Sequence, residues 1–331
     1  MTVVTDVSPV RGKNKHKQKL VRGEDYVMGT IANVKNETGT GRTRENDLPF
    51  HAVLLATDCS PSSATVARIA AHFAKDSHAK LYVLHASEPE LFGVSVAGPI
   101  PELAVMQLDN GRQELHKYAQ HIPELRTLKH EESAFLGTAI DGISATVESK
   151  SIDLLVLGSH ARGGFAKLAL GSVAEWAIQR LHCPVLVAGP KCPEVVHPIR
   201  SIVFASDLSA ETTRASVYAR QLAKHYDADF TALHVLHSEK DQTNQSRSES
   251  DAVAALRRAI AYSKSDRRNA KCQAVSGEIA SSILLAAEQN KANLLILGSR
   301  HKPPLTNHIP HAKLTAIIRE AHCPVLVVPA V

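Results

Sequence analysis

Residues 51–58, HAVLLATD, decide the fold, because the chain repeats them in altered form at residues 200–207, RSIVFASD. Each segment is an apolar run of strand length that ends in an aspartate, and these aspartates, Asp58 and Asp207, lie 149 positions apart. A repeat this long is a whole domain rather than the unit of a solenoid. The chain is therefore predicted to contain two copies of one domain.

Later landmarks repeat at a shorter offset. IDLLVLGS at residues 152–159 returns as ANLLILGS at 292–299, and HCPVLV at 182–187 returns unchanged at 322–327, each 140 positions on. The second copy is therefore nine residues shorter than the first. The difference falls where the first copy has the loop SEPELFGVSVAGPIPE, residues 87–102.

Short apolar runs alternate with segments of helical spacing in each copy, which is typical of an α/β domain. The runs AVLLAT, DLLVLG and PVLVAG are continuous, as expected for parallel strands covered on both faces. We predict two tandem doubly wound domains, each a five-stranded parallel sheet of order 3-2-1-4-5 with helices on both faces. In the first copy the predicted strands are 51–57, 80–86, 130–136, 152–157 and 184–188, and the predicted helices are 61–76, 102–121, 138–149 and 172–181.

Composition divides the chain of 331 residues further. Residues 1–48 lack periodicity and are rich in Lys, Asn, Gly, Thr and Arg, which predicts a disordered basic tail. Domain 1 is predicted at 49–189 and domain 2 at 200–331, with a proline-containing linker at 190–199.

The overall composition predicts a soluble protein of the cytoplasm. The chain is 44% hydrophobic and 21% charged, with no apolar window of membrane-spanning length and no secretory signal pattern. The net charge of +5 is modest, which speaks against nucleic-acid binding. The five cysteines have no CxxC spacing, so neither a disulfide framework nor a zinc site is predicted.

A ligand crevice is expected at the carboxyl ends of the parallel strands. Asp58 ends the first strand of domain 1, Ala86 and Ser87 end the second, and the segment Gly158–Ser172 follows the fourth. Ser172 with Glu175 matches the S-x-x-E capping box, and a helix amino terminus favours an anion. No GxxxxGK[ST] and no GxGxxG after the first strand is present, so these patterns alone leave a nucleotide loop and an ordinary turn open.

The whole arrangement resembles a tandem universal stress protein over about residues 50–331, with an early Asp, LH, LLxLGS and HCPVLV in each copy. In nucleotide-binding members of that family a G-x2-G-x9-G-[ST] loop holds the phosphates. The resemblance implies Gly158, Gly171 and Ser172 for phosphate, Asp58 for the nucleoside and Ala86 for adenine through its backbone. It implies ATP, with or without Mg²⁺, as the ligand. The residues predicted to contact it are Asp58, Ala86, Gly158, His160, Ala161, Arg162, Lys167, Gly171, Ser172 and Val173.

The motif is incomplete in domain 1 and lost in domain 2. Ala161 replaces the second motif glycine, while in domain 2 only Gly298 of the loop pattern survives. His311 and Ala312 stand where domain 1 has Gly171 and Ser172, and three prolines remove backbone donors: Pro303, Pro304 and Pro310. Domain 2 is therefore predicted to be a structural partner that has lost phosphate binding.

The predicted role is that of a nucleotide-binding sensor or switch in a stress response, not an enzyme. Slow ATP hydrolysis and a scaffold that binds no nucleotide remain alternatives, because Ala161 departs from the motif and His160 is a weak candidate base. We expect the two domains to pair within the chain. A homodimer and an unidentified protein partner are left open, and no membrane partner is expected.

Overall fold

The computed structural model describes residues 48–88, 101–159, 170–194, 198–209, 212–236, 245–260, 270–299 and 311–330. The predicted tail lies outside them except for Leu48, which is buried. Among the helices of the described part, none has the length and apolar character that crossing a membrane would require.

The strands of the first repeat are β1 Ala52–Ala56, β2 Lys80–Ser87, β3 His130–Leu136, β4 Leu154–Gly158 and β5 Val185–Ala188. Its helices are α1 Ala64–Asp76, α2 Pro101–His121, α3 Pro123–Thr127, α4 Ala139–Lys150 and α5 Ser172–Arg180. The predicted strands and helices are present within a few residues. The short helix α3 was not predicted, because a five-residue helix beginning at a proline has too few turns to show periodicity.

Apart from α3, the described elements of the second repeat follow the same order. Its strands are β6 Ser201–Ala205, β7 Asp229–Leu236, β8 Ala270–Ser276, β9 Leu294–Ser299 and β10 Val325–Pro329. Its described helices are α6 Thr213–Tyr226, α7 Gln245–Ile260, α8 Ile279–Gln289 and α9 His311–Glu320.

The ten strands form one sheet of order β3-β2-β1-β4-β5-β10-β9-β6-β7-β8. Within each repeat every pair is parallel and the order is 3-2-1-4-5, which confirms the predicted fold class. The repeats meet at β5 and β10, which pair antiparallel with Leu186 opposite Leu326. Val185 lies opposite Val327 and Val187 opposite Val325, so the register is that of a two-fold axis through the leucine pair.

Helices cover both faces of this sheet. One face packs against α1, α2, α3, α6 and α7, and the other against α4, α5, α8 and α9. Alternate residues of each strand supply the two cores, as Val53 and Leu55 do on the first face and Leu54 on the second. The continuous apolar runs of the sequence are therefore explained by burial on both sides.

Aromatic and polar contacts also join the two repeats on the α1 and α6 side of the sheet. The ring of Phe50, which is fully buried, stacks on Tyr218 with centroids 5.7 Å apart. The Tyr226 hydroxyl donates to Asp76 Oδ2 at 3.0 Å, and burial raises the pKa of that tyrosine well above its ordinary value. These contacts and the β5–β10 pair join the two repeats, and each of the two cores contains residues of both.

Candidate functional site

The turn after β1 is built on Asp58. Its Oδ1 accepts from the backbone N–H of Ser60 at 3.0 Å and from the Ser60 hydroxyl at 2.7 Å, which is an Asx-turn. Between them Cys59 has a φ of 58°, a conformation that this pair of hydrogen bonds sustains. Asp58 Oδ2 accepts no hydrogen bond within the described part of the chain. The turn therefore holds a carboxylate by one oxygen and leaves the other open.

The end of β2 presents backbone groups to the same crevice. The last rung between β1 and β2 is Thr57 N–H to Leu84 O at 2.9 Å, and on the other side Gly137 N–H donates to Ser87 O at 2.9 Å. Residues alternate between these two sides, so the N–H and C=O of Ala86 face the β1 side beyond the end of that strand. No backbone hydrogen bond from Ala86 to the β1 segment forms among the described residues.

The side chain of a histidine bridges the ends of β1 and β2, beyond the last backbone hydrogen bond that forms between them among the described residues. His85 is 4% exposed, and its Nδ1 lies 3.0 Å from the carbonyl oxygen of Thr57. The hydroxyl of Thr57 lies 3.0 Å from Ser63 Oγ, which in turn donates to Tyr118 OH on α2 at 2.8 Å. Burial raises the pKa of Tyr118. The turn, the end of β2 and α2 are thus tied together by polar side chains.

The amino terminus of α5 closes the third side. Gly171 is its N-cap residue, with φ −60° and ψ 144°, and its N–H donates to Ser159 O at 2.7 Å. The predicted capping box is wrong, because Ser172 is already the first helical residue, whereas a capping side chain must come from the residue before it. Glu175 instead accepts from Gln179 Nε2 at 3.1 Å. No described side chain caps this helix, so its first N–H groups and dipole face the crevice.

The predicted site residues divide into two groups. Asp58, Ala86, Gly158, Gly171 and Ser172 lie at the carboxyl ends of β1, β2 and β4 or at the start of α5, as the doubly wound fold requires. Val173 is also described, but its side chain packs against the α4 and α5 face of the core. The other four lie outside the described residues: His160, Ala161, Arg162 and Lys167.

The nucleoside end of this arrangement is repeated in the second repeat. Asp207 Oδ1 accepts from Ser209 N–H at 2.9 Å and from its hydroxyl at 2.6 Å, and Leu208 has a φ of 63°. His234 Nδ1 lies 2.8 Å from the Ser206 carbonyl oxygen. Unlike Asp58, Asp207 makes a further interaction. The Asx-turn is therefore a property of the fold, because both repeats form it.

Packing explains why Gly298 is retained although the loop pattern after it is lost. A Cβ at Gly298 would lie 2.8 Å from Thr212 Cγ2, closer than real contacts allow. The counterpart of Thr212 in the first repeat is Ser63, which has no methyl group. Gly298 makes room for a methyl group of its own domain, so it is no evidence of phosphate binding there.

The described residues offer no metal centre at the crevice. No group of three or more His, Cys, Asp or Glu side chains among them could hold a metal ion. All five cysteines are free, and burial raises the pKa of Cys183 to about 11 and that of Cys323 to about 12. Cys183 and Cys323, which occupy the same place in the repeated HCPVLV segment, therefore pack in the core of their repeats.

Sequence reasoning placed Ser87 at the end of the second strand but missed Gly111 and Tyr118, two residues of α2 that support the crevice. Ser87 ends the strand that carries Ala86, and its Oγ lies 3.2 Å from His85 Nε2. A Cβ at Gly111 on α2 would lie 3.3 Å from Ser87 Oγ, so the helix approaches the strand end closely there. Gly111 and Tyr118 could be found only once the position of α2 relative to β2 was known.

The fold and the crevice together define a class: a duplicated, doubly wound α/β protein with a polar crevice at its topological switch point. The universal stress protein family model matches residues 49–189 and 198–329, and the chain belongs to that family. The exact domain boundaries stay a prediction.

Relatives of known name agree with this assignment. A universal stress protein of Methanocaldococcus jannaschii is 29% identical over 145 residues, which are 44% of this chain and 85% of that protein. One of Bacillus subtilis is 30% identical over 148 residues, 42% of this chain and 98% of that protein. A crystal structure of a universal stress protein from Archaeoglobus fulgidus, 20% identical, covers 85% of this chain and 99% of its own with a TM-score of 0.61. That structural likeness shows the fold alone.

Proposed function

We propose that domain 1 binds ATP or a related adenine nucleotide, with or without Mg²⁺, as the ligand of a cytoplasmic stress sensor or switch. Domain 2 is its structural partner. The observation that carries the proposal is the carboxylate of Asp58, which the Asx-turn holds by Oδ1 while Oδ2 accepts no hydrogen bond from the described residues. The hydroxyl groups of a ribose can donate hydrogen bonds to such an oxygen.

The two neighbouring sides of the crevice suit the rest of a nucleotide. The N–H and C=O of Ala86 form a donor and acceptor pair at the end of β2, which is the pattern that the adenine edge complements through N1 and the 6-amino group. The uncapped start of α5 at Gly171 and Ser172 offers N–H groups and a positive dipole end to phosphate. The metal, if bound, would enter with the phosphates, since no described cluster would hold it alone.

Binding rather than turnover is proposed as the function. The described imidazole at the crevice, His85, has Nδ1 at 3.0 Å from Thr57 O and Nε2 at 3.2 Å from Ser87 Oγ, so both nitrogens are occupied by protein atoms. A general base needs a nitrogen within reach of the attacking water. We expect phosphate release from ATP to stay at the background rate, and a rate of turnovers per second would overturn this part of the proposal.

The duplicated turn supplies a matched test. We expect calorimetric titration of the full chain with Mg-ATP to show one saturable site. Asp58→Asn keeps an acceptor for the Asx-turn but removes the charge, and should weaken ATP binding by about 10- to 100-fold, the value of a hydrogen bond to a charged group. Asp207→Asn is the control and should leave the affinity unchanged.

The phosphate end has its own variant. Gly171→Asp combined with Ser172→Ala places a negative charge at the start of α5 and should abolish binding, with circular dichroism confirming that the variant is folded. Absence of saturable binding to the unaltered chain at millimolar Mg-ATP would sink the nucleotide proposal and favour the scaffold. Equal weakening by the Asp58 and Asp207 variants would also contradict it, because the site would then not be confined to domain 1.

A further inference from the structure

We propose that the hydroxyl of Ser87 selects adenine among purine bases by accepting a hydrogen bond from the 6-amino group. The assignment rests on the nucleotide site proposed above and adds a specificity-determining side chain to it. Ser87 is half-buried, ends β2 and follows Ala86 directly.

A chain of hydrogen bonds determines the polarity of this hydroxyl. The Thr57 carbonyl has no hydrogen to give, so His85 Nδ1, 3.0 Å away, is the donor. In a neutral imidazole the other nitrogen is then an acceptor. Ser87 Oγ lies 3.2 Å from His85 Nε2, whereas Glu114 Oε2 lies 3.7 Å from the same nitrogen, beyond hydrogen-bond distance, so a neutral His85 accepts the one hydrogen of Ser87. The oxygen of Ser87 can only accept from any further partner.

The position of the hydroxyl complements that of Ala86. The Cβ position of Gly111 lies 3.3 Å from Ser87 Oγ, so α2 confines the side chain at the end of the strand. An adenine 6-amino group has two hydrogens, of which the Ala86 carbonyl takes one and Ser87 Oγ the other. Guanine and hypoxanthine have a carbonyl oxygen at that position, and it would face two acceptors and no donor.

The second repeat shows that the hydroxyl is not required by the fold. His234 forms the same bridge, with Nδ1 2.8 Å from the Ser206 carbonyl oxygen, yet the position equivalent to Ser87 is Leu236. The imidazole bridge thus closes the strand ends in both repeats. The hydroxyl beside it is present only in the first repeat, where Asp58 Oδ2 accepts no hydrogen bond from the described residues.

A double-mutant cycle between the protein and the ligand tests the assignment. The full chain and its Ser87→Ala variant are titrated with ATP and with purine riboside triphosphate, which lacks the 6-amino group. Ser87→Ala should weaken ATP binding about 2- to 12-fold, the value of one neutral hydrogen bond, and leave binding of the purine analogue unchanged. Ser133→Ala, an exposed serine of β3, is the matched control and should change neither affinity.

The outcomes separate the two proposals. The role of Ser87 is overturned if the unaltered chain binds ATP saturably but Ser87→Ala weakens the binding of ATP and of the purine analogue equally, or weakens neither. The proposed nucleotide site would remain in that case. Absence of ATP binding by the unaltered chain overturns both. If Ser87→Ala does not fold, N6-methyl-ATP replaces it: this ligand has one amino hydrogen for two acceptors and should bind the unaltered chain about 2- to 12-fold more weakly than ATP. Equal binding of N6-methyl-ATP and ATP overturns the role of Ser87.

Discussion

Truncation of Phe50 should destabilise both domains together. Its ring is fully buried and stacks on Tyr218 of the second repeat, with ring centroids 5.7 Å apart. It also contacts Phe73 of the first repeat in an edge-to-face arrangement, with ring centroids 6.1 Å apart. Loss of a buried phenylalanine to alanine costs about 3–5 kcal/mol, which includes the cavity left behind. Of this, each aromatic pair accounts for roughly 0.5–1.5 kcal/mol beyond area burial. We therefore expect the free energy of unfolding to fall by about 3–5 kcal/mol in Phe50→Ala.

A second variant separates stacking from burial. Phe50→Leu keeps most of the apolar volume but loses both ring contacts, so it should cost about 1–3 kcal/mol, the value of the two aromatic pairs. Both variants are measured by urea denaturation. The chain has one tryptophan, Trp176 on α5, so its fluorescence reports the first domain while far-ultraviolet circular dichroism reports both.

The two probes decide whether the repeats unfold as a unit. Because β5 pairs with β10 and Phe50 packs across the seam, we expect coincident transitions in the unaltered protein and in both variants. A loss below about 1 kcal/mol in Phe50→Ala would refute the argument from burial. Separate transitions, with only the tryptophan signal moved by the substitution, would refute the argument that the seam couples the domains.

Three further outcomes are expected. Gly298→Ala should destabilise the protein by about 1–3 kcal/mol, because its Cβ would lie 2.8 Å from Thr212 Cγ2, and Thr212→Ser should recover part of that loss in urea denaturation; no recovery would contradict the contact. The hydrogen bond from the backbone N–H of Ser281 lowers the pKa of Glu278 from 4.5 to about 2. The ionised carboxylate therefore stabilises the fold fully above pH 4.5, and this stabilisation is lost as the pH falls toward 2. Glu278→Gln should therefore reduce the fall in melting temperature across that range, and an unchanged fall would argue against it. Thr138→Ala removes the side-chain acceptor for the Asp141 N–H at the start of α4 and should cost about 1 kcal/mol, whereas a neutral effect in thermal unfolding would show that the cap contributes nothing.

The candidate site was predictable where it follows from the ends of strands. The apolar run before Asp58 and the LH pair before Ala86 place both residues at the same edge, since parallel strands end together. The capping box failed at Ser172 because the pattern S-x-x-E does not say which residue leaves helical geometry, and Gly171 does so here. The difference between Asp58 and Asp207 had no local signal, because the two turns have the same pattern and the same hydrogen bonds.

The sequence by itself determined the duplication, the alternation of buried strands with helices in each repeat and the loss of the glycine loop in the second. These features depend on local periodicity and on residue type, which are properties of each segment's own sequence. Only the tertiary structure decided that the HCPVLV strand of the first repeat pairs with the HCPVLV strand of the second. The two strands are antiparallel, with Leu186 opposite Leu326, so the two five-stranded sheets form one sheet. A strand's sequence describes how its faces are buried, but the choice of partner at its edge depends on which strand the rest of the fold brings there.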